Sequence, residues 1–419
     1  MKEVRPPFFV EDVFVGKTFN DFSLDDQLGV VKHRSDVVDL TTKFSTNIQL
    51  NLPVVAANMD TVTGPEMCIA MAQEGGIGIL HRNTPVVLQA EWVRQVKRAE
   101  NLVIENPYCI LETKTVGQAR MQMAQKKVHT LLVVNAAKKL TGLVTRKDIS
   151  TLAKNSWANK DAKGQLRVGA AIGATGDYLE RAAALIEAGA DVIVIDIAHG
   201  FSTVMKEAVE SFQKKFKHEL VCGNVANYKG AQFLQDLGVD GIKVGLGSGY
   251  GCLTRLETSV GVPQVQAVRA AFLATYLPII SDGGVRQNGH FAMALLLGAS
   301  SVMVGSVLAG TNETPGEVIP DPAGGAGYKF YRGMTSPEAK LEQVESADQI
   351  KNIEGRSLEV PYTGKSVKEI LRRIRYNLQS MVSYAGEKSL SEAIKKVSQN
   401  PMEYLIPLSR AAQEESFKR

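Results

Sequence analysis

The chain is 419 residues long, 44 % hydrophobic and 22 % charged, with a formal net charge of +4, the make-up of an ordinary globular protein. So small a charge argues against nucleic acid as a partner, and no apolar run is long enough to span a bilayer, which argues against a membrane protein. The N-terminus, Met1-Lys2-Glu3-Val4-Arg5-Pro6-Pro7, does not resemble a signal peptide, and the scattered Cys68, Cys109, Cys222 and Cys252 show no paired metal-ligand spacing; a reducing, cytoplasmic setting is the expectation.

In chain order, short β-rich runs recur, most followed by a loop and a helical pattern. They predict strands at Leu52–Ala57, Gly76–Leu80, Val168–Ile172, Val192–Ile197, Glu219–Cys222, Gly241–Val244, Leu277–Ile280 and Ser301–Val304. Near-continuous apolar runs such as Val192-Ile193-Val194-Ile195 suit a parallel sheet covered on both faces. Between the runs lie amphipathic stretches. One helix is predicted at about Val86–Ala99; in another, Leu179, Ala182, Ala183 and Ile186 share a face, and Gly189 ends it. Eight β-then-α units predict a (β/α)8 TIM barrel, with a doubly wound open sheet as the alternative.

Residues 101–160 change style, splitting the barrel into 1–100 and 161–419. Thr115-Val116-Gly117-Gln118-Ala119 opens a helix, and Leu131–Val134 with Leu140–Ile149 reads as strand, turn, strand and helix start. This insert, between the second helix and the third strand, resembles one copy of the cystathionine-β-synthase (CBS) motif, a unit that usually works in pairs and often binds nucleotides. A lone copy either pairs across subunits or serves as a spacer. The spacer is preferred here over nucleotide regulation through Thr145 and Asp148.

In such a barrel the active site forms at the C-terminal ends of the strands. Asn58-Met59-Asp60, His81-Arg82, Asp196, Asn224 and Ser281-Asp282-Gly283-Gly284 fall there, as does Gly305-Ser306. So does Gly247-Ser248-Gly249-Tyr250-Gly251-Cys252-Leu253-Thr254-Arg255, which sets one cysteine in a glycine-dense turn. Glycines let backbone approach a ligand closely, and a cysteine held there is a nucleophile if its thiolate is favoured. The competing view is a strand-ending turn with an incidental cysteine. Gly283, Gly284, Gly305 and Ser306 offer backbone N–H groups to an anion, and Asp282 suits a ribose. The pattern implies a phosphorylated sugar or nucleotide over a cysteine.

Ala56-Ala57-Asn58-Met59-Asp60-Thr61-Val62, Gly75-Gly76-Ile77-Gly78, the Cys252 loop, Ser281-Asp282-Gly283-Gly284 and Tyr331-Arg332-Gly333-Met334 together resemble the IMP dehydrogenase / GMP reductase family over nearly the whole chain. The resemblance implies a barrel, a homotetramer, and a purine nucleotide beside a nicotinamide cofactor. It implies a cysteine that adds to purine C2 in both branches. The dehydrogenase passes hydride from IMP to NAD and hydrolyses the adduct with water activated by a flap Arg-Tyr pair. The reductase expels ammonia from GMP, then takes hydride from NADPH to give IMP. Here Ser336–Ile353 contains no arginine and no tyrosine, and Glu354-Gly355-Arg356-Ser357-Leu358-Glu359-Val360-Pro361-Tyr362-Thr363-Gly364 resembles the reductase flap. Ala198-His199-Gly200 and the insert look more like bacterial dehydrogenases. The balance favours GMP reductase, with IMP dehydrogenase or an inactive nucleotide-binding regulator as alternatives.

Carried over residue by residue, the resemblance makes Cys252 the nucleophile and Thr254 and Glu354 the proton relay to departing ammonia. Cys68, Cys109 and Cys222 are read as buried and inert. Asp282, Gly283, Gly284, Gly305, Ser306 and Tyr331 would hold ribose and phosphate, and Gly333, Met334, Thr335 and Gly355 would line the purine. Asp196, Ile197, Ala198, Leu246, Gly247, Arg82 and Lys351 would face the cofactor, NADPH with NADH as its alternative. Carbonyls of Gly247, Gly249 and Cys252, near Arg255, match a loop for a monovalent cation such as K+. One departure stands out: where the family has a phosphate-binding serine followed by an apolar residue, this chain has Tyr250 and Gly251.

Overall fold

The computed structural model describes residues 10–99, 109–114, 118, 122, 130–137, 139–145, 157–341 and 352–417. Eight parallel strands close into a barrel: β1 Val54–Ala56, β2 Ile77–Leu80, β3 Gly169–Ile172, β4 Val192–Asp196, β5 Leu220–Val225, β6 Gly241–Val244, β7 Ile279–Asp282 and β8 Ser301–Val304. Closure comes from β8 pairing with β1, Val302 opposite Val54 and Val304 opposite Ala56. The open-sheet alternative is thereby excluded.

The strands match the sequence reading to within a few residues, and the shifts have causes. Pro53 and Pro278 lack an N–H and cannot donate to a ladder, so β1 and β7 begin after them rather than at Leu52 and Leu277. β5 runs on to Val225, so Asn224 lies within the strand and not beyond it.

Side chains alternate along each strand. Val55, Ile77, Ile79, Ala171, Val192, Val194, Val221, Ile280 and Met303 turn inward as one lumen cluster. Their neighbours, such as Ile193, Ile195, Cys222, Ile242 and Val302, pack outward into the larger core beneath the helices. The lower end of the lumen is plugged by the hairpin Thr42–Lys43 and Gln49–Leu50, whose Phe44, Ile48 and Leu50 join the lumen cluster. The plug is tied down where Thr46 N donates to Asp240 O (2.8 Å) and Asn47 N to Glu219 Oε1 (2.8 Å).

The ring of helices is α1 Pro65–Gln73, α2 Val86–Arg98, α3 Tyr178–Glu187, α4 Thr203–Lys215, α5 Tyr228–Asp236, α6 Gln264–Ala274, α7 Asn288–Leu296 and α8 Val367–Tyr384. Gly189 follows α3 at φ +99°, as a left-handed helix stop requires. α8, opened by a capping box between Ser366 and Glu369, packs between α7 and α1 and completes the ring. The chain between β8 and α8 builds an antiparallel hairpin, β9 Tyr328–Arg332 with β10 Ser357–Pro361, over the upper rim. Between α2 and β3, Thr130–Val134 pairs parallel with Cys109–Leu111 and antiparallel with Leu140–Thr145, a small three-stranded sheet. Its first strand was not anticipated. Most of Thr115–Ala119, and Asp148, lie outside the described residues, and Thr145 ends the third strand. Among the described residues no helix is long and apolar enough to cross a membrane.

Phe44 is fully buried in the plug, so Phe44→Ala should lower the unfolding free energy by about 3–5 kcal/mol. Urea denaturation measures this, and a loss below about 1 kcal/mol would show that the hairpin merely covers the barrel floor.

Candidate active site

The alternation that fills the lumen with aliphatic groups puts charge at its upper rim. Two residues past inward Val194 is Asp196; two past inward Ile280 is Asp282; β6 contributes Lys243 between them. The Lys243 ammonium lies 2.6 Å from Asp282 Oδ2 and 3.2 Å from Asp196 Oδ1. Burial works against its charge, but the two carboxylates outweigh it and hold its pKa above the ordinary lysine value. Asn58 Nδ2 donates to Asp196 Oδ2 (2.5 Å), and Asn224 Nδ2 donates to Asp282 Oδ2 (3.0 Å) and Gly245 O (2.7 Å). Asp196 is therefore a member of an ion triad.

Above this layer the Cys252 loop is zipped to the overlying hairpin by main-chain bonds. Leu253 N donates to Glu354 O (2.7 Å) and Arg356 N to Gly251 O (3.0 Å), Cys252 bridges Gly355, and within the hairpin Gly333 N donates to Arg356 O (3.1 Å). The Cys252 thiol donates to Thr254 Oγ1 at 3.2 Å, and Thr254 begins the short helix Thr254–Thr258. The zip needs bare backbone: a Cβ on Gly355 would stand 2.7 Å from Ser336 N, and one on Gly333 2.8 Å from Gly251 O. The hairpin is itself anchored where Arg332 grips Asp60 (2.6 Å), which Asn83 also binds (2.8 Å).

Cys252 stands where several cavities meet. One of about 180 Å³ is lined by Asp282, Gly283, Gly284, Gly305 and Ser306 on the barrel side and by Tyr331, Gly333, Met334, Thr335 and Glu354 on the hairpin side. A second, about 360 Å³, holds Arg82, Asp196, Ile197, Ala198, Leu246 and Gly247, with Cys252 and Thr254 at its edge. A third, about 380 Å³, holds Gly247, Gly249 and Arg255. The three spaces overlap around the sulfur: Asp282, Gly283, Met334 and Thr335 line both the first and the second, Gly247 both the second and the third, and Gly249 all three, while Gly355 lines none of them. Lys351 lies outside the described residues.

Some expectations need correction. Gly284 does take φ +76°, but its N–H donates to Ser248 O (3.1 Å) and is already used within the loop. Gly283, at φ +100°, would press a Cβ to 2.6 Å from Ser248 Oγ, so glycine is required there. His81 is buried edge-on against Trp92, ring centres 5.2 Å apart, while Arg82 alone of that pair lines the cavity. Cys68 and Cys222 are buried, with thiol pKa values pushed up by burial, but Cys109 is exposed on the insert. Tyr331 is buried, and burial, then Asp282, raises its phenol pKa.

The second cavity fits a nicotinamide nucleotide in having both an arginine and polar rim groups beside the thiol. Gly249 O accepts from Cys252 N (3.1 Å), which leaves this carbonyl a second lone pair for a hard cation. Among the described residues no group of three His, Cys, Asp or Glu side chains is placed to hold a metal ion.

Residues 16–418 match the family model described as the IMP dehydrogenase / GMP reductase domain. The chain belongs to the IMP dehydrogenase / GMP reductase family. Members of the IMP dehydrogenase / GMP reductase family are oxidoreductases acting on purine nucleotides. Similar curated proteins include the inosine-5'-monophosphate dehydrogenase of Nitrosopumilus maritimus, 38 % identical with 96 % of this chain and 97 % of that protein covered. That of Aquifex aeolicus is 36 % identical, covering 91 % and 92 %. A solved structure of a GMP reductase variant from Trypanosoma brucei, in complex with guanosine 5'-monophosphate, is similar with a TM-score of 0.83 and 32 % identity, covering 96 % of this chain and 97 % of that one.

Sequence reasoning missed Lys243. For Lys243 a signal existed: a lysine inside the otherwise apolar Gly241–Val244 run. Its replacement by Met leaves Asp196 and Asp282 facing each other without a cation. Lys243→Met should cost about 3–5 kcal/mol of stability, and adding Asp196→Asn should restore part of it. Unaltered thermal unfolding of the single variant would show that solvent already neutralises the pair.

Proposed function

We propose that this protein is a GMP reductase, which converts GMP and NADPH to IMP, ammonia and NADP+. The observation that carries the reading is Cys252, hydrogen-bonded to Thr254 and laid against the Glu354–Gly355 backbone at the meeting of two cavities. The sulfur attacks purine C2, and the 2-amino group leaves as ammonia once protonated, because an amine departs poorly as an anion. Thr254 and Glu354 deliver that proton. A reduced nicotinamide bound beside the thiol would supply the hydride that C2 needs, and Cys252 would then leave C2 with the C–S electron pair. Asp282 holds the ribose, and Arg82 with Asp196 orients the cofactor.

The branch rests on the hairpin approach. Ser336–Ile353 has neither arginine nor tyrosine to activate a water, and the reductase-like Glu354–Gly364 stretch is the part that meets the sulfur. The IMP dehydrogenase reading is favoured instead by the names of the relatives at 36–38 % identity. Homotetrameric assembly and a CBS-like spacer role for the insert belong to the same proposal.

Incubation with GMP and NADPH, and separately with IMP and NAD, decides the direction by the absorbance of reduced nicotinamide. Consumption in the first mixture alone is expected; formation in the second alone overturns the assignment. Cys252→Ser should lower turnover at least about a thousandfold while nucleotide affinity changes little. A near-normal rate would remove Cys252 from the chemistry.

A further inference from the structure

The substrate-side cavity has no cationic wall. Among the described residues neither lysine nor arginine lines it, and Asp282 and Glu354 do. A nucleotide phosphate, bringing about two negative charges, needs a counter-charge that the space itself does not hold. Nearby cations are committed elsewhere: Lys243 to Asp196 and Asp282, Arg332 to Asp60, and Lys329 to the carbonyls of Thr311 and Thr314. Two glycine amides are also spent, Gly284 N–H on Ser248 O and Gly333 N–H on Arg356 O.

Three arginines line the adjoining third cavity, Arg255, Arg286 and Arg356, and the last two flank Tyr250. Arg286 follows the β7 glycines and Arg356 follows Gly355; their guanidinium carbons lie 5.8 Å and 5.6 Å from the centre of the Tyr250 ring. Arg356 also donates to Tyr250 O (3.2 Å). Neither forms an ion pair among the described residues. Both line the third cavity, which has no acidic residue and adjoins the substrate cavity along Gly249, Tyr250, Cys252 and Gly284.

We propose that Arg286 and Arg356, braced on Tyr250, are the counter-ions of the substrate's 5'-phosphate and make this site selective for nucleoside 5'-phosphates over free nucleosides. The inference rests on a purine nucleotide being the substrate, and deepens that reading by naming where its charge is met. A guanidinium presents paired N–H donors that match phosphate oxygens, as an ammonium does not. Stacking on Tyr250 restricts both side chains before the ligand arrives, which lowers the ordering cost of binding. Tyr250 thereby acts as a positioning residue through the two arginines.

The test is calorimetric titration of the full chain with GMP, IMP, guanosine and inosine. The wild type should bind nucleotides more tightly than nucleosides, by a margin that shrinks with added salt. The double variant Arg286→Ala, Arg356→Ala should lose about tenfold or more in nucleotide affinity with nucleoside affinity unchanged. Arg356→Lys in an otherwise wild-type chain should fall between the two. Unchanged nucleotide affinity in the double variant, or an equal loss for nucleosides, overturns the proposal. A wild type that binds GMP through these arginines yet consumes no NADPH with it sinks the reductase assignment and leaves the inference standing.

Discussion

A lysine taken out of water into a barrel lumen must be paired, and Lys243 is paired twice. Its contacts with Asp196 and Asp282 join three strands at the rim and set the direction of both carboxylates. Asp282 lines the substrate-side cavity and both aspartates line the cofactor-side one. The polar layer therefore carries over from the strand alternation that packs the aliphatic layer beneath it: the same inward positions, one step higher. Asn58 and Asn224 add donors to the carboxylates from across the rim, so the layer is hydrogen-bonded as well as charge-balanced.

The nucleophile is held by different means. Cys252 sits on a loop, and loops are the less rigid part of a barrel, yet two main-chain bonds stitch this one to the β9–β10 hairpin. Those bonds exist only because Gly251, Gly333 and Gly355 permit the backbones to approach. The hairpin in turn depends on Arg332 and Asp60 for its seat above β1. A sulfur positioned in this way is coupled to the hairpin: whatever lifts the hairpin also loosens the cysteine.

Much of the architecture was legible because its signals are local. Apolar runs of strand length, amphipathic stretches and a glycine stop at Gly189 each show within a few residues, and Gly241–Val244 and Ser301–Val304 matched at both ends. Strand ends slipped where a proline removed a donor or where polar residues, as in Asn224 and Asp282, continued a ladder. Glycine-rich turns at strand ends also marked the site. What stayed hidden was non-local. Nothing adjacent to Lys243 indicates that Asp196 and Asp282 face it across the lumen. Tyr250 stood out as a departure from the family pattern, but its arginine partners come from the β7 loop and the hairpin, which only the closed barrel brings together. The first strand of the insert, Cys109–Leu111, is too short to register as a period.

The zip between loop and hairpin bears on why one family can run its chemistry in either direction. Both branches pass through a cysteine-bound purine, and the fate of that adduct depends on what reaches C2 next: water or hydride. A dehydrogenase must admit and activate a water at that point, whereas a reductase must keep it away. Here the Glu354–Arg356 backbone lies directly on Gly251–Leu253, spending its amides and carbonyls on the cysteine loop. Arg356, the first arginine past the stretch that lacks one, is turned aside onto Tyr250 and binds its carbonyl, so its guanidinium is engaged at the rim. Under the proposed reaction this keeps Glu354 on the wall of the cavity that Cys252 also lines, with the positive charge at the phosphate end. That division of labour suits ammonia departure followed by hydride transfer.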